Sequence, residues 1–144
     1  MPASAAERDR AGRLAEQFAS TLSAHDIAAF GALFSDDYVN HQTSAAAPPA
    51  PGKPAKQGTV ELFAARLAGM PDLAVAVEQM VVAGDRVAAS FVYTGTHGGS
   101  YMGVAPTGRR LRFTSCDIFR TANGHIVEHW GIGDIAGLLA QLHG

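Results

Sequence analysis

The sequence predicts an α+β fold in which helices come first and an antiparallel or mixed sheet follows. Up to about residue 70, apolar residues recur at the spacing of a helix that buries one face. From Asp72 onward they alternate at a period of two, as in strands that bury one face. Helices followed by hairpin-linked strands are typical of α+β domains, and 144 residues suit a single domain over 1–144.

Three segments are predicted before the first proline-rich stretch. The first is a helix over residues 5–24, and the second is a shorter amphipathic helix that starts after Asp26. The third is a short extended segment over residues 36–41. The apolar residues that define the two helical stripes are Leu14, Phe18, Leu22, Ile27, Phe30 and Phe34.

A proline-rich segment separates these elements from a third helix. Four of the seven prolines fall within residues 44–57, so this segment is predicted to be an exposed loop, with a lid over a ligand as one role for it. Thr59 is the predicted N-cap of the helix, which carries Phe63 on its apolar stripe and ends at Gly69.

Four strands and a last helix are predicted in the second half of the chain. The strands cover residues 73–82, 86–97, 110–120 and 125–132, and Asp134 is the predicted N-cap of the helix. Glycines near the strand ends allow a strongly bent sheet. Helices on one face of such a sheet would enclose a cone-like apolar space.

Composition excludes several classes of function. Hydrophobic residues make up 47% of the chain and charged residues 17%, with a formal net charge of −2, which argues against nucleic acid as a partner. We find no uninterrupted apolar stretch long enough for a membrane span and no signal peptide, so we expect a cytoplasmic protein without a membrane partner. The lone cysteine, Cys116, is predicted to be buried, and we expect no metal site or cofactor.

Several motifs occur in an order that resembles a known family. They are Asp-Asp-Tyr-Val-Asn-His at 36–41, Gly-Thr-His at 95–97, Pro-Thr-Gly at 106–108, Asp-Ile-Phe-Arg at 117–120 and Asn-Gly-His-Ile-Val-Glu-His-Trp at 123–130. From about residue 8 onward the chain resembles the SnoaL-like polyketide cyclases, also called ester cyclases, whose fold is the cone of nuclear transport factor 2 and ketosteroid isomerase. This resemblance implies a cone-shaped α+β barrel around an apolar pocket.

The resemblance also implies where the acid/base group of the family should lie. In the cyclases it is an aspartate two residues after a histidine of the last strand. This chain has His129-Trp130-Gly131 at that place, so glycine replaces the aspartate. Asn40 matches the asparagine of the family's Tyr-x-Asn motif.

The last hairpin decides which polar groups meet, and two registers are open. With a two-residue turn at Asn123-Gly124, Asp117 lies opposite Trp130, whereas a three-residue loop places it opposite His129. The resemblance favours the second register. The predicted cavity row then contains Phe113, Ser115, Asp117, Val127, His129 and Gly131.

The catalytic hypothesis is that Asp117 orients His129 as a general base while Asn40 polarises a carbonyl group of the ligand. Phe63, Tyr93 and His97 are further candidates for the pocket wall. Tyr38 is interpreted as a packing residue, Glu128 as an outer-face residue, and His41 as a residue of the outer surface or of the pocket mouth.

Three functions remain open at this point. The first is a cofactor-independent enzyme of the cyclase or isomerase type that acts on a small apolar, carbonyl-bearing molecule. The others are a hydroxylase or hydrolase on the same fold, and a ligand-binding protein without catalysis. The outer strand face, with Ile118, Ile126, Trp130 and Ile132, predicts a homodimer.

Overall fold

A computed structural model describes residues 4–42 and 51–144, in which four helices pack on one five-stranded sheet. The predicted α+β class is confirmed. The helices are α1 (Ala5–Ser23), α2 (Ile27–Gly31), α3 (Ala55–Gly69) and α4 (Ile135–His143). The strands are β1 (Phe34–Asn40), β2 (Ala74–Ala83), β3 (Arg86–Thr96), β4 (Arg110–Ala122) and β5 (His125–Gly133).

The sheet is mixed and open. Its strand order is β1-β5-β4-β3-β2, with β1 parallel to β5 and every other pair antiparallel. Helix α1 packs against β2 and β3, α3 packs against β1, and α4 packs against β4. Side chains of α3 and of the inner face of β4 and β5 line one cavity.

Phe18 of α1 is the centre of the aromatic core. Its ring lies 4.8–5.4 Å, between centroids, from four other phenylalanine rings that come from α2, α3, β3 and β4. Such edge-to-face and tilted contacts add to the free energy of burial. The four partners of Phe18 are Phe30, Phe63, Phe91 and Phe119.

Two element boundaries differ from the prediction. Helix α3 begins at Ala55, four residues before the predicted N-cap, because Pro54 precedes it as the cap residue with a φ of −57° that suits a helix start. Thr59 is instead buried inside the helix. Phe34, predicted on α2, begins β1. Residues 44–50 of the predicted loop lie outside the described residues.

The hairpin between β4 and β5 adopts neither predicted register. Asn123 and Gly124 form a two-residue turn with φ of 53° and 79°, and Thr121 then pairs with Ile126. The next pair is Arg120 with Glu128, so the register shifts by one residue at Val127. Asp117 consequently lies opposite Gly131 rather than opposite Trp130 or His129.

The extra residue at Val127 forms a β-bulge, which also changes the residues that lie on the outer face of the sheet. Ile126 is fully buried, because the extra residue reverses the alternation of side chains before it. Cys116, predicted to be buried, is exposed. Its cross-strand partner on β5 is Ile132, which is 74% exposed, so both lie on the outer face of the sheet.

Candidate active site

A cavity of about 420 Å³ lies between α3 and the inner face of β4 and β5. This volume falls in the range of pockets that hold small organic ligands. Its wall includes aromatic rings from α3, β3 and β4 together with a few polar groups. The predicted site residues that lie on this wall are Asn40, Phe63, Tyr93, Phe113, Ser115, Asp117 and His129.

Three predicted site residues do not line this cavity. Val127 is the extra residue at the bulge and is displaced from the cavity row. His97 is fully buried, and its Nδ1 lies 2.9 Å from Oγ1 of Thr107, which places it in a separate polar contact. Gly131 lies beside the polar groups of the site, as its neighbours show below.

Asp117 and His129 form a buried hydrogen bond with Nε2 2.6 Å from Oδ1. The two residues are diagonal neighbours, because Asp117 pairs with Gly131 and His129 lies two residues earlier on the same face of β5. Because Gly131 has no side chain, the imidazole of His129 and the carboxylate of Asp117 can meet in the space beside it. The predicted contact is therefore present, although the predicted register that led to it is wrong.

Tyr38 lies on the other side of the imidazole. Its hydroxyl is 3.0 Å from Nδ1 of His129. A carboxylate only accepts hydrogen bonds, so Nε2 of His129 donates to Asp117, and Nδ1 forms its hydrogen bond with the Tyr38 hydroxyl. Both ring nitrogens of His129 are thus bonded within the protein.

The second oxygen of Asp117 is bonded to Ser115. The Ser115 hydroxyl donates to Oδ2 over 2.7 Å and lies 3.4 Å from the Tyr93 hydroxyl. Burial raises the pKa of the Tyr93 phenol above its usual range, and the charge of Asp117 raises this pKa further. The polar row on the cavity wall therefore has one carboxylate, held by an imidazole on one side and by a hydroxyl on the other.

Gly131 fits against this pair with no space to spare. A Cβ atom added there would collide with Oδ1 of Asp117 and would lie 3.0 Å from Nε2 of His129. The carbonyl oxygen of Cys116 would be 3.1 Å away. The carboxylate of Asp117, on β4, thus occupies the volume into which a side chain at position 131 on β5 would project.

Asn40 lies on the cavity wall next to this network. Its Cα pairs with that of His129 across the parallel β1–β5 contact. The backbone N–H of Gln42 donates to Oδ1 of Asn40 over 2.9 Å, which fixes the orientation of the amide group. Its Nδ2 group has no hydrogen bond to another described residue and remains a donor at the wall.

The next residue, His41, points to the opposite face. Its Nε2 lies 2.7 Å from Oε2 of Glu128, and its ring stacks on Trp130 at 4.8 Å between centroids. Arg120 donates to Oε1 of Glu128 over 2.6 Å, and these two partners lower the pKa of that carboxyl. The outer-face interpretations of His41 and Glu128 are confirmed, and the pocket-mouth alternative for His41 is wrong.

Sequence reasoning missed two residues of the site. Tyr38 is predicted to be a packing residue, although the Tyr-x-Asn spacing places it on the same face of β1 as Asn40. Arg66 is absent from the predicted site, although it lies three residues after Phe63 and therefore on the same side of α3. The structure places Arg66 on the cavity wall.

The family assignment rests on most of the chain. A family model described as SnoaL-like polyketide cyclase matches residues 12–142. The chain belongs to this family. The resemblance found in the motifs is thereby confirmed, and members of the SnoaL-like family bind small ligands.

Solved structures agree with this SnoaL-like assignment. The chain is 32% identical to IdmH, a proposed polyketide cyclase from Streptomyces antibioticus, with a TM-score of 0.78 over 92% of this chain and 98% of that one. It is 29% identical to AclR, a proposed hydroxylase from Streptomyces galilaeus, with a TM-score of 0.80 over 97% and 83% of the two chains. No functionally curated protein matches the chain.

Two further observations concern the described residues. No group of three or more histidine, cysteine, aspartate or glutamate side chains in residues 4–42 and 51–144 has the arrangement of a metal site. Among the same residues, no helix is both long enough and apolar enough to cross a membrane.

Gly131→Ala should lower the free energy of unfolding by about 1–3 kcal/mol, because the new methyl group overlaps the Asp117 carboxylate and meets backbone. Urea denaturation measures this change. Gly133→Ala is the matched control on the same strand, since its Cβ would meet only side-chain carbons at 3.8–4.0 Å. The cost should shrink when Asp117→Ala is combined with Gly131→Ala. Equal costs at positions 131 and 133 would contradict the close fit.

Tyrosine ionisation provides a second test. Burial raises the pKa of Tyr38 above its usual range, with a further contribution from the charge of Asp117, and the same holds for Tyr93. Of the three tyrosines in the chain, at most one should therefore ionise near pH ~10 in the folded protein, as followed by tyrosinate absorbance.

The sign of the accompanying stability change follows from linkage. A phenol whose pKa is raised by folding stabilises the fold below its unfolded pKa of about 10, and this contribution is lost as the pH rises towards the folded pKa. The free energy of unfolding should therefore decrease above pH ~10. Urea-unfolded protein, in which all three phenols ionise together, is the control. Ionisation of all three near pH ~10 in the folded state would contradict the burial of Tyr38 and Tyr93.

Proposed function

We propose that this SnoaL-like protein is a cofactor-independent enzyme in which Asp117 removes a proton from a carbon next to a carbonyl group of a small ligand. The observation that carries this proposal is the hydrogen bonding of His129. Because both of its ring nitrogens are engaged by Tyr38 and Asp117, the imidazole has no free lone pair for the ligand. The carboxylate is then the general base, and His129 positions it.

The placement of Asp117 supports the same assignment. The cyclases that the chain resembles have their acid/base aspartate at the position of Gly131. In this chain the Asp117 carboxylate fills the space beside Gly131 from the neighbouring strand. The cavity of this chain therefore still contains a carboxylate, which comes from β4 instead of β5.

The proton transfer uses groups that line the cavity. Asp117 takes a proton from the carbon, the C–H bond breaks, and its electron pair forms the carbon–carbon double bond of an enolate. The negative charge moves to the carbonyl oxygen of the ligand, where the Nδ2 group of Asn40 donates a hydrogen bond. In the cyclase reaction the enolate carbon then attacks a second carbonyl group of the same molecule, and Asp117 returns the proton to the oxygen of that group. In the isomerase reaction the enolate is conjugated with a further carbon–carbon double bond, and Asp117 returns the proton to the far carbon of that system.

Ser115 accommodates the change of charge on Asp117. Its hydroxyl donates to the carboxylate, and it can instead accept from the protonated acid while its own hydrogen turns towards the Tyr93 hydroxyl at 3.4 Å. The raised pKa of Tyr93 keeps that phenol protonated throughout. Base and acid forms of Asp117 are therefore both hydrogen-bonded.

A hydroxylase or hydrolase mechanism receives less support from the cavity wall. Such a mechanism with two carboxylates around a water molecule needs a second acid near Asp117. Among the described residues on the wall, the other carboxylate is Glu61, which is exposed and bonded to Lys53 over 2.6 Å. Glu61 lies with Lys53 rather than beside Asp117 in the polar row.

Deuterium exchange of 2-tetralone, a bicyclic ketone with acidic protons next to its carbonyl group, tests the proposal. The protein should accelerate exchange at that carbon in D₂O, as followed by proton NMR. Asp117→Asn should lower the rate by at least about 100-fold, since general bases contribute a factor of roughly 10²–10⁴. Glu61→Gln is the matched control, because it removes the other carboxylate of the wall, and should have little effect.

His129→Gln separates the two candidate bases, because glutamine retains an N–H donor for Asp117. A partial loss of exchange is expected if His129 positions the base. A loss as complete as in Asp117→Asn would instead identify His129 as the base. Binding of 2-tetralone without any accelerated exchange would overturn the catalytic proposal and favour a ligand-binding protein.

We also propose that the outer face of the sheet is a homodimer interface. Val81, Ala88, Ile118 and Trp130 pair across four successive strands and thus form one apolar row on that face. Val81 is 68% exposed and Ile118 is 40% exposed. Exposed apolar area of this kind is typical of subunit interfaces.

Sedimentation velocity tests the assembly at micromolar concentration. Ile132→Glu places a charge on the outer face and should convert the dimer to a monomer. Gln17→Glu on the exposed side of α1 adds the same charge elsewhere and should leave the dimer intact. A wild-type monomer at this concentration would overturn the proposed interface.

A further inference from the structure

Arg66 is a buried cation of the cavity wall that has no anionic partner among the described residues. Arg66 is only 5% exposed and projects from α3 on the same side as Phe63. Its Nε group donates to the Tyr101 hydroxyl over 3.0 Å. No other hydrogen bond and no ion pair joins the guanidinium to the residues in 4–42 and 51–144.

Aromatic rings surround this guanidinium. Its central carbon lies 5.0 Å from the ring centroid of Phe63, 5.1 Å from that of Tyr93 and 5.0 Å from that of Phe113. Cation–π contacts of this kind stabilise the charge in part, but rings accept no strong hydrogen bonds. None of the described residues accepts a hydrogen bond from the two Nη atoms, and these atoms are accessible from the cavity. Their four N–H groups can therefore donate to a ligand.

The position of Arg66 is built into the fold. Tyr101 reaches it because the Tyr101 side chain packs directly on Gly69, where a Cβ atom would lie 2.6 Å from the Tyr101 Cβ. The N–H groups of Gly98 and Gly99 both donate to the carbonyl oxygen of Gly69, which fastens this loop to the end of α3. Tyr101 thus fixes the guanidinium plane and leaves the Nη edge for another group.

The charges on the cavity wall limit which ligand group can bind to the Nη edge of Arg66. The charged side chains among the described lining residues are Lys53, Glu61, Arg66 and Asp117, which sum to zero. Lys53 and Glu61 neutralise each other, so Arg66 and Asp117 are the charges that meet a ligand. One cation matches a group with a single negative charge, and the planar guanidinium matches the planar fork of a carboxylate.

We propose that Arg66 binds a carboxylate group of the ligand, so that the site takes an aromatic or similarly flat organic acid in preference to a neutral apolar compound. The rings of Phe63, Tyr93 and Phe113 pack against the flat body of the acid next to its carboxylate. This inference deepens the proposed function, because it concerns the same ligand that would meet Asp117. Its binding step does not require the proton transfer to occur.

A matched pair of probes tests the proposal without any variant. The probes are 2-naphthoate and 2-naphthamide, which share their shape and differ in charge. Isothermal titration calorimetry should give an affinity for the carboxylate at least about tenfold higher than for the amide. Equal affinities for the two probes in the wild-type protein would overturn the proposal.

Variants then locate the preference. Arg66→Gln should remove the difference between the two probes, whereas Lys53→Gln removes the other cation of the wall and should retain it. If Arg66→Gln fails to fold, Tyr101→Phe provides a milder change that removes the bond to Nε, and it should reduce the preference. A preference that disappears in Lys53→Gln but persists in Arg66→Gln would also overturn the assignment.

The outcome is separable from that of the proposed function. Asp117→Asn should bind 2-naphthoate at least as tightly as the wild type, since it removes a negative charge from the same cavity. If the carboxylate preference is present and 2-tetralone binds to the wild type without accelerated exchange, the proposal for Arg66 stands and the catalytic proposal fails. Accelerated exchange together with equal affinities for the two naphthalene probes would support the catalytic proposal and overturn the proposal for Arg66.

Discussion

The hydrogen bond between His129 and Asp117 is the interaction on which the rest of the site depends. A carboxylate that is only 3% exposed is stable in a protein when hydrogen-bond donors replace its water shell. His129 and Ser115 provide these donors. The imidazole in turn needs Tyr38, so the parallel contact of β1 with β5 is part of the same requirement. The same side chains therefore form the candidate active site and a buried polar part of the core.

The sequence predicted the members of this network better than its geometry. Alternation on β4 and β5 placed Asp117 and His129 on inner faces, and two polar residues buried in one sheet are expected to meet. The register of the β4–β5 hairpin could not be predicted from the sequence, because the bulge at Val127 depends on how β5 pairs with both β1 and β4. A shift of one residue moves Ile126 from the outer face to the core.

Arg66 shows a different limit of sequence reasoning. An arginine on an apolar helix stripe normally extends its charge to the surface, so its position alone does not indicate a site. Its burial depends on Tyr101, which lies 35 residues away in the chain, and on the close approach of Tyr101 to Gly69. Contacts between such distant segments leave no periodic signal. The folded structure is needed to place this charge in the cavity.

The two ligand-facing charges also constrain the shape of the ligand. The Arg66 guanidinium carbon lies 5.1 Å from the ring centroid of Tyr93. The Tyr93 hydroxyl lies 3.4 Å from the Ser115 hydroxyl, which donates to Asp117. Tyr93 and Ser115 lie between the two charges on the cavity wall. The low dielectric constant of the cavity increases the interaction energy of each charge with a ligand. Under the two proposals, a ligand that meets both charges therefore spans Tyr93 and Ser115. Its carboxylate then lies at Arg66, and its reactive carbon lies at Asp117.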